Sequence, residues 1–195
     1  MKHLVTIISI VLIVNVIGCK NQTNNTQSNN DTIAFFSLKG FFDKEKSFLD
    51  SMPYYTYQIK TINNATRDSA DYNKASLDSI LQVLAALDIE KNNWKSSFTE
   101  TSFNDLSTQS ITLHYETSET TIPVKSIDVL FDEKKMKVKR IFIKTVQQAN
   151  ETVINRHYSW KTGKSCLITE TFSKTAAKPE QTVTYFINWN DNSLR

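Results

Sequence analysis

The spacing of apolar residues changes once along the chain. From Ile33 to Met52 apolar side chains recur every three or four residues, which predicts an amphipathic helix. Asp31 or Thr32 is the candidate N-cap, and Pro53 follows the last turn. A second stripe of leucine and isoleucine between residues 73 and 87 predicts a second helix.

From about Ser107 the apolar period is two, as in strands whose two faces differ. The candidate strands span residues 109–117, 123–132, 135–146, 151–161, 164–173 and 181–190. Tyr55, Tyr57 and Ile59 also alternate with polar residues, which indicates a further strand between the helices. The links at 132–134 and 161–164 are too short for parallel crossovers, which need about a dozen residues, so the strands should run antiparallel.

The alternation slips inside the candidate strand 135–146. Met136 and Val138 have a different parity from Ile141 and Ile143. A β-bulge near Arg140 would bring both pairs to the same face of a sheet.

The predicted fold class is α+β, with two N-terminal helices packed on a curved antiparallel meander sheet of six to seven strands. Residues 33–195 should form this single domain. Residues 89–105 are expected to be a loop that Trp94 and Phe98 attach to the core.

The first eighteen residues have the layout of a secretory signal. Lys2 precedes an apolar run from Leu4 to Gly18. As a helix this run would be about 22 Å long at roughly 1.5 Å per residue, shorter than the roughly 30 Å hydrocarbon core of a bilayer. We therefore expect residues 1–18 to be a cleaved signal peptide and not a permanent membrane span.

The stretch Val16-Ile17-Gly18-Cys19 resembles the lipobox of bacterial lipoproteins. The resemblance implies cleavage between Gly18 and Cys19 and a lipid anchor, with diacylglyceryl and acyl chains such as palmitate, on Cys19. Two or three acyl chains hold a protein on a bilayer. An ordinary signal peptide that contains a cysteine is the alternative. Because Lys20 follows the cysteine and no acidic residue occurs before Asp31, the resemblance favours the periplasmic face of the outer membrane.

Residues 20–32 contain no apolar side chain. Such a segment cannot bury enough surface to offset its ordering entropy, so residues 19–32 are expected to be a flexible tether.

Residues 35–45, FFSLKGFFDKE, and 87–94, LDIEKNNW, resemble segments of a group of lipoproteins from the Bacteroidota. The resemblance implies no particular activity. It implies O-glycosylation at Asp-Ser/Thr followed by an apolar residue, and Thr32 and Ser69 are the favoured sites because both fall in expected loops.

Composition excludes several classes of function. The formal net charge is +3 for the whole chain, which is too small to indicate a nucleic-acid partner. With three glycines the chain cannot build the glycine-rich loops that bind nucleotide phosphates or the G-x-S-x-G turn of serine hydrolases. No cofactor is expected.

The remaining chemistry is sparse. His114 and Glu116 could face the same side of a strand, but two ligands without a third do not make a metal site. Once Cys19 is acylated, Cys166 has no disulfide partner, and it is expected to be a buried small hydrophobe. A nucleophilic pair of Cys166 with His157 lacks a third group. We therefore predict no catalytic residue, no metal site and no enzymatic activity.

The most basic stretch is KKMKVKRIFIK, residues 134–144. Lys137, Lys139 and Arg140 are a candidate patch for anionic lipid headgroups or an acidic partner. The alternative is that they prevent a β-rich surface from pairing with other chains.

Two functions remain open. The first is a lipid-anchored, non-enzymatic binding module of the cell envelope, with an unidentified envelope protein or lipid as partner, bound on the exposed sheet face. The second is a carrier or receptor for a lipid or lipoprotein, with an apolar cavity between helices and sheet.

Overall fold

The computed structural model describes residues 35–53, 55–174 and 181–191. All of them belong to one compact unit, Ala34–Arg195. The predicted signal peptide, its cleavage site at Gly18, the lipid site Cys19, the tether and Thr32 lie outside the described residues and stay predictions. None of the helices in the described ranges has the length and apolar character needed to cross a membrane.

The described residues form two α-helices, a short 3₁₀ helix and nine strands. The helices are α1 (Leu38–Asp50) and α2 (Lys74–Ala86), and the 3₁₀ helix is Lys95–Ser97. The strands are β1 (Tyr57–Ile62), β2 (Thr66–Asp71), β3 (Thr99–Asp105), β4 (Ser110–Glu116), β5 (Val124–Asp132), β6 (Val138–Ala149), β7 (Thr152–Lys161), β8 (Ser165–Lys174) and β9 (Gln181–Asn188).

All nine strands belong to one antiparallel sheet with the order β2-β1-β9-β8-β7-β6-β5-β4-β3. From β3 to β9 each strand pairs with the next, and the β1–β2 hairpin adds to the far side, next to β9. The predicted combination of helices with an antiparallel sheet is confirmed.

The predicted number of six to seven strands is wrong, because β2 and β3 were not recognised. They are the two outer strands of the sheet, and Phe103 is the one large apolar residue in their sequences, TRDSAD and TETSFND. An outer strand needs no apolar face in order to pair, so it lacks the alternation that reveals an inner strand. The second half of the expected loop 89–105 is therefore strand β3.

Helix α1 begins several residues later than predicted. Its N-cap is Ser37, whose Oγ accepts a hydrogen bond from the Gly40 N–H at 3.0 Å. The proposed caps Asp31 and Thr32 precede the described residues. Helix α2 begins where the pattern placed it, with Asn73 as its N-cap.

A buried carboxylate from elsewhere in the chain fixes the start of α1. Asp88 Oδ2, in the loop after α2, accepts hydrogen bonds from Ser37 Oγ at 2.9 Å and from the Lys39 N–H at 2.7 Å. Its Oδ1 accepts from the backbone of Glu90 and Lys91. Asp88 is only 2% exposed, so the cap is part of the core packing.

The core lies between the helices and one face of the sheet. Phe42 of α1 meets Trp160 of β7 edge to face, with ring centroids 5.3 Å apart. Trp94 and Phe98 pack on this core, as predicted. The sheet contributes the buried side chains of Tyr115, Ile127, Val129, Ile141, Ile143, Tyr158, Trp160, Cys166 and Ile187.

The bulge expected near Arg140 is present. Leu130 pairs with Arg140 and Phe131 with Val138, so Lys139 is the extra residue of β6. The shift restores Ile141 and Val138 to the core side, as predicted, but Met136 lies in the preceding turn and is 62% exposed.

Candidate functional site: an open groove on the sheet

The sheet face opposite the helices carries a groove. Ile59, Phe186 and Leu167 are neighbours across β1, β9 and β8, and residues directly opposite each other share a face. We call this face the open face, because both described helices lie against the other one. The groove has a volume of about 1110 Å³ and is lined by residues from β2, β1, β9, β8, β7 and β6.

The floor of the groove is apolar and aromatic. It contains Ile59, Leu167 and Phe186 together with Tyr57, and Leu167 is 37% exposed. Tyr55 stands beside it with 69% of its surface exposed and donates its hydroxyl hydrogen to Asp71. Apolar side chains grouped in an open depression are typical of interaction surfaces.

Two arginines lie at the ends of the groove. Arg67 comes from β2 and Arg140 from β6, and both line the groove. The Arg140 guanidinium lies 5.6 Å from the ring centre of Phe142. Within the ranges that the structure describes, neither arginine has a carboxylate at salt-bridge distance.

The third cation of the groove is neutralised. Lys161 Nζ lies 2.9 Å from Asp191 Oδ2, which also accepts from Ser165 Oγ at 3.1 Å. The Asn188 side chain donates to Asp191 O at 2.7 Å and to Tyr57 Oη at 2.9 Å. These contacts fix the groove wall next to the end of β9, so this part of the site is preorganised.

A smaller pocket of about 400 Å³ continues the groove towards β3. It is lined by Phe103, Leu130 and Lys139 and shares Arg140 and Lys161 with the groove. Consecutive residues of a regular strand point to opposite faces of the sheet. The bulge breaks this alternation, so the consecutive residues Lys139 and Arg140 both line this pocket.

The structure therefore separates the three residues of the predicted basic patch. Lys139 and Arg140 lie together on the open face, whereas Lys137 is exposed in the turn before β6.

Ser69 was expected in a loop, but it lies on β2, is exposed and lines the groove. Because Ser69 lies on a strand and not in a loop, the loop argument for its glycosylation no longer holds.

The space between helices and sheet is filled by large side chains, including Phe42 and Trp160, each 1% exposed. A cavity of about 460 Å³ opens beside the end of α1 and the start of α2, lined by apolar residues such as Leu49 and Leu77. It is also lined by Asp50 and Lys74, which are 2.8 Å apart. The wall of this cavity therefore combines apolar side chains with a partly exposed ion pair.

His114 is held by carboxylates on the open face. Its Nδ1 lies 2.5 Å from Asp128 Oδ1, and its Nε2 lies 3.4 Å from Glu116 Oε2. The hydrogen bond to Asp128 raises the pKa of His114 above its usual 6.5, against the opposing effect of burial. In the described part of the chain no group of three or more histidine, cysteine or acidic residues is arranged to hold a metal ion.

Cys166 and His157 do not form a pair. Cys166 faces the helices opposite Trp160, whereas His157 pairs with Thr169 on the open face. Burial raises the pKa of the Cys166 thiol to about 12, so it is not a thiolate at neutral pH. The expectation of a buried small hydrophobe is confirmed.

Sequence reasoning missed most of the groove. The alternation of Tyr55, Tyr57 and Ile59 placed these residues on one face, but gave no sign of which strands would lie next to them. Arg67 lies on a strand that was not predicted, and its distant partner in the groove, Arg140, was noticed only as part of a charged run.

Comparison of the chain with models of protein families, with curated proteins and with solved structures finds no match.

Proposed function

We propose that this protein is a non-enzymatic binding module and that its ligand surface is the open-face groove. The observation that carries the proposal is the pair Arg67 and Arg140, two guanidinium groups without carboxylate partners among the described residues, at the ends of an apolar floor. The ligand is an elongated molecule or segment with anionic groups at its ends and apolar or planar groups between them.

The chemistry of the groove supports this ligand class. A guanidinium binds carboxylate or phosphate through two parallel hydrogen bonds. This interaction is stronger and more selective than the contact of the same anion with the point charge of an ammonium group. Stacking on Phe142 limits the conformations of Arg140, so less entropy is lost on binding.

The dimensions support an elongated shape. Five strand-to-strand steps separate β2 from β6 in the sheet. At roughly 4.8 Å per step the path across the floor is about 24 Å long, which exceeds the size of a small metabolite.

The place of action follows from the sequence prediction alone. A lipid on Cys19 would anchor the module to the outer membrane, on the periplasmic face, with residues 19–32 as tether. The partner is then an envelope protein or a lipid-linked molecule of the envelope.

The test is recovery of the partner from detergent-solubilised envelopes with the full chain as bait. We expect Arg67→Gln combined with Arg140→Gln to lose the recovered component. Lys60→Gln is the matched control, because Lys60 lies on β1 but contacts Tyr185 on the other face. A component retained equally by the double variant and the control would contradict the proposal.

A further inference from the structure

Two hairpin turns lie side by side at one corner of the sheet. Residues 106–109 connect β3 to β4, and residues 133–137 connect β5 to β6. The Glu133 N–H donates to Gln109 O at 3.1 Å, and Lys139 Nζ donates to Thr108 O at 3.4 Å. We call these two turns together the hairpin tip.

The hairpin tip exposes large apolar side chains. Leu106 is 76% exposed and Met136 is 62% exposed, and nearby Phe103 is 66% exposed. Packing in the core does not explain why these three positions are apolar, because all three side chains are exposed to solvent. Apolar side chains at the ends of projecting turns are available to a surface that the hairpin tip meets end-on.

The backbone of the hairpin tip is also unusual. Most described non-glycine residues with positive φ are asparagines, which adopt this conformation readily. The other two are Gln109, at φ 49°, and Met136, at φ 50°. A methionine in a position that asparagine or glycine would occupy at lower cost is not explained by the turn geometry.

Lysines surround Met136. Lys134, Lys135 and Lys137 are exposed, and within the described ranges none has a carboxylate at salt-bridge distance. The neighbouring carboxylate of Asp132 is occupied by backbone, because its Oδ1 accepts from the N–H groups of Lys134 and Lys135.

The Asp105 carboxylate is likewise occupied within its own turn. It accepts hydrogen bonds from Ser107 and Thr108. Asp105 and Asp132, at the strand ends beside the two turns, therefore stabilise the turns. Glu133, the acidic residue of the tip itself, accepts a hydrogen bond from Asn104 Nδ2 at 3.4 Å. The ammonium groups of Lys134, Lys135 and Lys137 remain available to an external anion.

We propose that the hairpin tip docks on an anionic lipid bilayer, with Leu106 and Met136 inserted between headgroups and Lys134, Lys135 and Lys137 against the lipid phosphates. This inference goes beyond the proposed function, because it concerns a different surface and does not depend on a ligand in the groove.

The residue types favour a lipid surface over an acidic protein. Lysine is depleted at protein interfaces, where arginine is the preferred cation. A flexible ammonium without directional preference suits a fluid array of phosphates, and apolar side chains on a projecting turn can enter the headgroup layer.

The test is oxidative labelling of the full chain in vesicles of phosphatidylcholine alone and of equal parts phosphatidylcholine and phosphatidylglycerol. Met52 is 42% exposed and serves as the internal reference. We expect conversion of Met136 to its sulfoxide to slow several-fold with the anionic lipid, while Met52 oxidises at the same rate in both. Any lipid anchor is the same in both vesicles and cannot produce the difference.

A charge variant completes the test. Lys134→Glu with Lys135→Glu should abolish the protection of Met136, whereas Lys44→Glu with Lys91→Glu, the same change in charge at two other exposed lysines, should retain it. Equal oxidation of Met136 in both vesicles, or protection that survives in the first variant, would overturn the proposal. Protection that appears only after an acidic envelope protein is added would also overturn it, in favour of a protein partner.

Discussion

Glu45 of α1 accepts a hydrogen bond from the indole nitrogen of Trp160 of β7, with Oε2 and Nε1 2.8 Å apart. The same oxygen accepts from the Gly163 N–H at 3.1 Å. Glu45 is 8% exposed and Trp160 1%, so this contact joins the helix layer to the sheet inside the core. The Glu45 carboxylate, with two donors in the core, therefore has a structural role.

Glu45→Ala should lower the free energy of unfolding by about 2–3 kcal/mol, because it leaves two donors without an acceptor in a buried site. Glu45→Gln, which can still accept, should cost less. Urea unfolding monitored by tryptophan fluorescence measures both.

The control for this prediction is Asp43→Ala on the same helix. Asp43 pairs with Lys39 at the surface, where both side chains are more than half exposed. Asp43→Ala should change the free energy of unfolding by no more than about 0.5 kcal/mol. An effect of Glu45→Ala no larger than that of Asp43→Ala would show that the buried contact does not stabilise the fold.

Asp88→Ala should loosen the start of α1 before it affects the rest of the molecule. Asp88 accepts from Ser37 Oγ and the Lys39 N–H, and its removal takes away the acceptor of both donors. Amide hydrogen exchange at residues 38–41 should accelerate, and the unfolding free energy should fall by about 2–3 kcal/mol. Asn73→Ala, which removes the simple side-chain cap of α2, should cost about 1 kcal/mol. Unchanged exchange at 38–41 would refute the role of Asp88.

His114 should make the protein less stable as the pH rises. Its folded pKa is raised above the unfolded value of 6.5 by the hydrogen bond to Asp128, so the folded state binds the proton more tightly. The stabilisation is fully present below pH 6.5 and is lost as the pH rises through the raised folded pKa. Unfolding free energies measured below 6.5 and well above the raised pKa should differ less in His114→Gln than in the parent.

His157 provides a control with the opposite sign. Burial, and after it the charge of Lys144, lowers the pKa of His157, so the unfolded state binds the proton more tightly. Stability from this group is present above pH 6.5 and is lost as the pH falls through the lowered folded pKa. His157→Gln should therefore reduce the loss of stability in acid. A change of the same sign in both variants would contradict these assignments.

Cys166 should react with a thiol reagent only after unfolding. It is fully buried, and burial raises its pKa to about 12. The labelling rate should therefore follow the population of unfolded chains across a urea series. Rapid labelling under native conditions would show that the core opens locally around β8.

The inner part of the fold was predictable because burial imposes a pattern. Strands β4 to β9 have one apolar face each, and the alternation located all of them and the bulge at Lys139. Strands β2 and β3 escaped because outer strands need no apolar face. The start of α1 was misplaced because Ser37 is supported by Asp88, 51 residues later, a contact that no local pattern contains.

The groove could not be predicted for a related reason. Arg67 and Arg140 are 73 positions apart in the sequence. They line the same groove because β1 lies beside β9 in the sheet, which brings the β1–β2 hairpin next to the later strands. The basic run 134–144 indicated a candidate patch for an anionic partner, but the position of the groove depends on the pairing of strands far apart in the chain.

The central claim is that the open face is the binding surface. The most direct test is photo-crosslinking in cells, with a photoreactive amino acid that replaces Leu167 in one variant and Val83 in another. Both positions are exposed, Leu167 on the groove floor and Val83 on α2, at 37% and 49%. We predict an adduct from Leu167 that disappears with Arg67→Gln and Arg140→Gln, and none from Val83. An adduct from Val83 with none from Leu167 would contradict the account.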